Sequence, residues 1–165
     1  MRMADMLVKL YHITEDPALY EHLAQKGVRI MRAMAMDRDQ VLRFVEEEFG
    51  EGWKNEAAYA FTGHPITCYI AVKEQKVIGF ACYDVTAKNF FGPIGVLTSE
   101  RGARIGEALM KKCLLSMRAD GYGYAVIGWV GPTSFYEKTV GATLIPDSFP
   151  GVYQDMSGYH PGMEG

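Results

Sequence analysis

Residues 99–109 read SERGARIGEAL, and the reading of the fold turns on this stretch. Gly102 and Gly106 lead into Ile105, Ala108 and Leu109, whose spacing is that of one helix face. The first turn of a helix leaves backbone N–H groups without partners, and the macrodipole adds positive charge there. Glycines let a ligand approach that backbone, so a glycine-dotted helix start suits phosphate. Two well-known phosphate loops are excluded. A P-loop needs Lys, then Ser or Thr, after its second glycine, whereas Glu107 and Ala108 follow Gly106. The G-x-G-x-x-G pattern is not met either, because GYGYAV from Gly121 precedes a strand rather than opening a helix. From the glycines alone, a phosphate cradle and a tight strand-to-helix turn fit equally well.

Working outward, the helix is expected over residues 102–119, with Ile105, Ala108, Leu109, Cys113 and Met117 on one stripe. Apolar runs at 91–97 and 124–130 flank it and read as strands. Strand, helix and strand in that order form a βαβ unit, so the two strands are expected parallel with a right-handed crossover. Upstream, TCYIAV (67–72) and VIGFACYDV (77–85), separated by KEQK, read as an antiparallel hairpin. Residues 7–13 and 28–34 read as extended pieces and 18–25 as a short helix. Asp37 offers an N-cap for a helix stopped by Gly50 and Gly52, and 53–61 reads as another helix. A short helix at 132–140 and a last strand at 142–145 follow. The sum is an α/β fold, a central mixed sheet with helices on both faces. One domain is expected: residues 1–27 as an N-terminal extension, 28–145 as the core, and 146–165 as a C-terminal loop and tail. The final SGYHPGMEG is expected to be mobile.

Apolar residues make up 48% of the chain, enough for a core, and a formal charge of −3 offers no basic surface for nucleic acid. Three cysteines without close spacing signal neither a disulfide framework nor a zinc knuckle. The four histidines, His12, His22, His64 and His160, are scattered without i, i+4 pairing, so no metal is expected. The start, MRMADMLVKLYHI, is interrupted by Asp5 and Lys9 and lacks the apolar run of a signal peptide. The longest uncharged stretch, 121–136, is too short and too broken by glycines and Pro132 to span a bilayer. A cytoplasmic protein with no membrane or nucleic-acid partner is the expectation. Aromatic content of 12% leaves room for a homodimer surface, but nothing marks one.

VLTSERGARIGEALM (96–110) resembles the signature of the GNAT acyltransferase superfamily: Arg or Gln, two residues, Gly, one residue, then Gly or Ala. Arg101 matches its first position and Gly106 its last. Downstream, SFYEKTVGA (134–142) resembles that superfamily's second landmark, an aromatic, Tyr, Glu, Lys run shortly before a Gly. Tyr136 falls on the usual tyrosine, and the order of elements over 28–145 fits. The resemblance implies a GNAT-like acyl-CoA N-acyltransferase fold, acetyl-CoA or another acyl-CoA as co-substrate, and a small-molecule or peptide amine as acceptor. Arg101, Gly102, Ala103, Arg104, Ile105, Gly106 and Glu107 would then surround the diphosphate, held by the amides of the turn. The strand edge at Val96 and Leu97 would pair with the pantetheine arm like an added strand, in a gap where two parallel strands splay apart. Arg104 is a departure, since the superfamily usually has glycine there; it reads as an extra guanidinium for a phosphate or as an arginine pointing to solvent. Trp129 is another, in place of an asparagine often found seven residues before the tyrosine.

Transfer from a thioester to an amine needs a base for the amine, a donor for the carbonyl oxygen, and an acid for the departing thiolate. Tyr136 is the candidate acid, although a tyrosine beside Phe135 on an amphipathic helix also reads as core. A backbone N–H near Val96 is the candidate donor. The superfamily often uses a glutamate on the strand before the signature, but FFGPIGVL carries no carboxylate. Asp84, at the end of the preceding strand, and Glu48, on the first long helix, are the alternatives, with a water chain as a third. The acceptor is expected between the first two long helices and the last strands, where Glu46, Glu47, Glu48 and Glu51 lie near Phe49 and Trp53. PDSFPGVY (146–153) would either cover that site or only pack against the sheet. Arg104, Trp129 and the missing strand carboxylate equally fit a GNAT-like domain that binds acyl-CoA as a sensor or interaction module without turnover.

Overall fold

The computed structural model describes residues 3–159; His160 and the rest of the tail expected to be mobile lie outside the described residues. In chain order the elements are β1 (Ala4–Lys9), α1 (Pro17–Gln25), β2 (Val28–Arg32), α2 (Arg38–Phe49) and α3 (Glu51–Ala60). The hairpin β3 (Cys68–Lys73) and β4 (Lys76–Tyr83) follows, then β5 (Phe90–Val96), α4 (Ile105–Ala119), β6 (Tyr124–Val130), α5 (Ser134–Val140) and β7 (Thr143–Leu144). Short 3-10 turns include Leu10–His12, which ends the first strand earlier than its apolar run suggests, and Gly151–Asp155.

Local chemistry accounts for these boundaries. Asp16 accepts a hydrogen bond from the Leu19 amide at 3.3 Å and Pro17 opens α1, both helix-start devices. Asp37 does not cap α2 with its side chain; its carboxylate accepts from the Met34 amide at 2.8 Å instead. Glu74 and Gln75 both take positive φ (51° and 64°), the backbone of a two-residue hairpin turn that matches the twist of its strands.

The seven-stranded sheet has the order β2-β3-β4-β5-β6-β1-β7. Residues 1–27, expected as an extension to the core, instead supply a strand inside it: β1 lies between β6 and β7 and pairs antiparallel with both. One apolar core packs α1 and α4 against one face of the sheet, through Leu19, Leu23, Leu109 and Met117 among others. A second core packs α2 and α3 against the other face, through Val41, Val45, Ala57 and Phe80. Cys68, Cys82 and Cys113 are all buried and free.

The parallel pair, β5 and β6, decides where a ligand fits. It is joined only at Phe90 opposite Val126 and Phe91 opposite Ile127. Beyond those positions the strands part, and each carries an irregularity at the level of the fork. The β4–β5 register slips between Ala81–Ile94 and Tyr83–Phe91, around Gly92 with φ 121°. The β1–β6 register slips between Ala4–Val130 and Met6–Ile127, around Trp129 with φ 47°. Each slip places an extra residue in one strand, which bends the strand and ends its regular pairing.

Candidate active site

The site has three parts: the glycine turn, the open fork below it, and a cavity at the fork's base. In the turn, Gly102 takes φ 90° and Arg104 takes φ 66° and ψ 21°, so a left-handed arginine stands where glycine costs least. Among the described residues, none of the amides of residues 102–107 donates to an acceptor in the fold. A run of free N–H groups at a helix start makes a concave anion site. The Arg104 side chain turns away along the helix, to Glu107 at 2.9 Å and Asp16 at 3.7 Å, and Lys111 joins the same group at 2.8 Å from Glu107. These cations hold the Glu107 carboxyl below its usual range, chiefly through the hydrogen bond from Arg104. Arg104 and Glu107 thus face one another rather than a phosphate, and what they offer a ligand is their amides.

Leu97 donates its N–H to the Ile78 carbonyl at 2.8 Å, inside the β4–β5 ladder. Successive residues of a strand point their backbone groups to opposite sides, so Val96 and Ile94 turn theirs toward the fork. Of the expected pair, then, Val96 faces the gap and Leu97 does not. Arg101 folds back and donates Nε to the Val96 carbonyl at 3.2 Å, tying the turn to the strand end. A Cβ built on Gly106 would lie 3.8 Å from both Val96 Cγ2 and Phe135 Cζ, so the turn, β5 and the start of α5 converge there. Next to Phe135, Tyr136 is half-buried against the core and its hydroxyl has no side-chain partner among the described residues. Burial pushes its phenol above the ordinary value, so it keeps its proton at neutral pH.

Neither expected carboxylate lines the cavity at the fork's base. Asp84 sits in the loop closing β4 to β5, where one oxygen accepts from the Asn89 amide at 2.7 Å and the other from the Tyr122 hydroxyl at 3.0 Å. Its role there is to organise that loop. Glu48 is exposed on α2; the neighbour that reaches the sheet is Phe49, whose ring fills the space a Cβ on Gly95 would need.

The carboxylate that faces the site is Glu56 of α3, which sequence reasoning missed. A cavity of about 750 Å³ lies at the base of the fork, with Gly92 and Pro93 of β5 on one side and Gly128 and Trp129 of β6 on the other. Glu56, Trp53 and Thr86 line it from the α3 side, and Tyr153 closes it from the C-terminal segment. Glu56 accepts a hydrogen bond from the Thr86 hydroxyl. Burial raises its pKa, partly offset by that bond. Burial also pushes up the Tyr153 phenol, with the charge of Glu56 adding to the effect.

Trp129, flagged as a departure, holds the C-terminal segment in place. Its indole Nε1 donates to the Pro150 carbonyl at 2.9 Å, and its ring stacks on Phe149 at 5.7 Å and meets Tyr153 at 4.2 Å. Its backbone amide donates to Asp5 at 3.0 Å, and the Asp5 amide donates to Ser148 Oγ at 2.8 Å. PDSFPGVY is therefore buckled to β1 and to the bulge of β6, and it walls the cavity.

Residues 64–139 match the family model of the acetyltransferase (GNAT) domain. No curated protein sequence matches the chain. Among solved structures, a GCN5-related glucosamine N-acetyltransferase region of a fungal multi-domain GH3 β-N-acetylglucosaminidase is similar with a TM-score of 0.70 at 14% identity. That match covers 86% of this chain and 19% of the other. A GCN5-related N-acetyltransferase from Sphaerobacter thermophilus gives 0.66 at 19% identity, over 88% of this chain and 50% of that one. A GNAT-family acetyltransferase from Brucella melitensis, solved with acetyl-CoA, gives 0.51 at 17% identity, over 72% of this chain and 86% of that one. The chain thus spans 19% and 50% of the lengths of the first two. The chain has the GNAT fold, and its segment 64–139 is similar to the GNAT acetyltransferase domain.

Proposed function

We propose that the protein is an acyl-CoA-dependent N-acyltransferase that moves an acyl group, most simply acetyl, from the thioester to a primary amine by direct attack. One observation carries the reading. Within a GNAT fold, the free amides of residues 102–107 lead onto the fork-facing edge of β5 at Val96 and Ile94, which pairs with no strand, holds its Val96 carbonyl on Arg101 Nε, and runs to the fork's base. The amides would take the diphosphate, and the strand edge would hydrogen-bond the extended pantetheine arm as a sheet bonds an added strand. From Val96 to Gly92 the edge descends about 13 Å at the usual strand rise, from the turn to the cavity. When bound, the co-substrate supplies an activated carbonyl and a thiolate leaving group. A fork-facing N–H of β5 is the fixed donor for the carbonyl oxygen as it gains charge. Tyr136, protonated at neutral pH, gives its proton to the departing sulfur.

The test is thermal unfolding with millimolar acetyl-CoA, then product analysis with amines. A ligand that binds only the native state must raise the midpoint, so a shift of several degrees supports the cofactor site. The lack of a carboxylate on β5 favours a second reading, a domain that senses acyl-CoA without turnover. A thermal shift with no consumption of acetyl-CoA across an amine panel selects that reading.

A further inference from the structure

The cavity at the fork's base has a wall of one chemical character. Trp53, Phe91, Trp129 and Tyr153 are aromatic, and Glu56 is its one charged side chain. No Lys, Arg or His lines it among the described residues. An anionic or phosphorylated acceptor would meet an uncompensated carboxylate there, at a cost that burial raises. A cation meets the opposite situation: a carboxylate at one end and ring faces on either side, which attract positive charge and cover flat apolar surface. The volume, about 750 Å³, is that of a small-molecule site, and Val152 and Tyr153 of the buckled 146–153 segment line one side of it.

We propose that this cavity receives the acceptor, a small primary amine carrying a planar apolar body, and that Glu56 is the catalytic carboxylate that binds its ammonium and takes its proton. The assignment rests on the acyltransferase reading for the reaction, but not for the binding. Glu56 is placed for the task by α3 and steadied by the Thr86 hydroxyl. Its carboxylate is a stronger base than an exposed one, because burial disfavours its charged form. Tyr153, whose phenol Glu56 influences, rests its hydroxyl against Gly128 and so bridges the cavity to the fork.

The ammonium passes one proton to Glu56, which returns it to solvent. The nitrogen lone pair attacks the thioester carbonyl; the C–N bond forms and the C–S bond breaks. Tyr136 protonates the sulfur, and the second nitrogen proton, lost as the amide forms, restores the phenol through water. One proton is released per turnover.

The two tryptophans of the chain, Trp53 and Trp129, both line the cavity, so their fluorescence reports its occupancy. The experiment titrates the full chain with 2-phenylethylamine, with 3-phenylpropionate and with a short lysyl peptide, first without coenzyme A and then with it. Saturable quenching by the amine, and none by the carboxylate, is the expected result. Glu56→Gln weakens amine binding about tenfold or more and lowers turnover about 10²-fold or more, while the thermal shift by acetyl-CoA stays. Glu56→Asp retains part of the binding. Equal amine binding by wild type and Glu56→Gln overturns the proposal, as does preference for the carboxylate or the peptide. Failure of acetyl-CoA to shift the wild-type midpoint overturns the acyltransferase reading, whereas the titrations without coenzyme A decide the cavity separately.

Discussion

The hydroxyl of Tyr153 rests against the backbone of Gly128, at the point where β6 parts from β5, so that a Cβ on Gly128 would collide with it. The same Cβ would lie 3.2 Å from Phe90 Cε2. Gly128→Ala is therefore expected to push the 151–155 turn outward and to cost about 1–3 kcal/mol, the usual range for overpacking. In the background of Tyr153→Ala most of that cost disappears. Denaturant unfolding of the two single variants and the double variant measures the coupling.

Gly106 offers a test of the proposed cofactor site that is separable from folding. A Cβ there meets only ordinary contacts at 3.8 Å, so Gly106→Ala folds normally and Gly106→Leu remains folded. Leucine is expected to fill the space before the free amides and to abolish the acetyl-CoA thermal shift that the proposal requires. Retention of the full shift in Gly106→Leu would remove the diphosphate from this turn.

Arg104 carries left-handed backbone strain that its ion pairs with Glu107 and Asp16 do not remove. Arg104→Gly and Arg104→Ala lose the same exposed pairs, so their difference reads the backbone alone. Glycine is expected to be the more stable by about 1 kcal/mol, the reverse of the ordinary helix order. Chemical denaturation of both variants checks it.

On the proposed role of Glu56, activity and stability are linked with a definite sign. Its folded pKa lies above the unfolded value, so between the two the native state binds more protons and stability falls as pH rises. Above that window the ionised carboxylate costs the fold; below the ordinary carboxylate value of about 4.3 it costs nothing. Glu56→Gln is thus expected to raise the midpoint at pH 8 and to match wild type at acid pH, while losing turnover. Melting curves across pH decide this. Tyr153, Cys82 and Thr86, the groups that act on Glu56 or respond to it, stay protonated throughout that range.

If Tyr136 is the proposed acid, its phenol sets the alkaline limit of turnover. Its raised phenol is fully protonated below the ordinary tyrosine value of about 10. Turnover is expected to hold to at least that pH and fall beyond it. Tyr136→Phe lowers kcat about 10²-fold or more and abolishes this limb, with the acetyl-CoA thermal shift unchanged.

Much of this architecture is legible in the chain because its local signals agree. The stripe Ile105, Ala108, Leu109, Cys113 and Met117 is buried as its spacing requires, and the apolar runs on either side of it are the parallel strands. Long-range partners were not legible. Residues 4–9 form a strand between two others, but nothing local says that β6 and β7 wait for it. The fork depends on where Gly92 and Trp129 take positive φ, which residue type alone does not announce. Nearness in sequence to the signature strand points to Asp84 as a base, although its loop already uses both of its oxygens. Glu56 lies on a helix whose exposed neighbours Glu51 and Asn55 make it look solvated; its one signal was Trp53, one turn earlier on the same face.

The burial of Cys68, Cys82 and Cys113 has a practical side. Thiol-reactive dyes that develop colour with free coenzyme A will meet no protein sulfhydryl while the chain is folded. The reading at the start of an assay therefore belongs to the product alone. A slow climb in a blank that holds neither acyl-CoA nor amine is then a record of the protein opening, and that blank gauges the integrity of the fold.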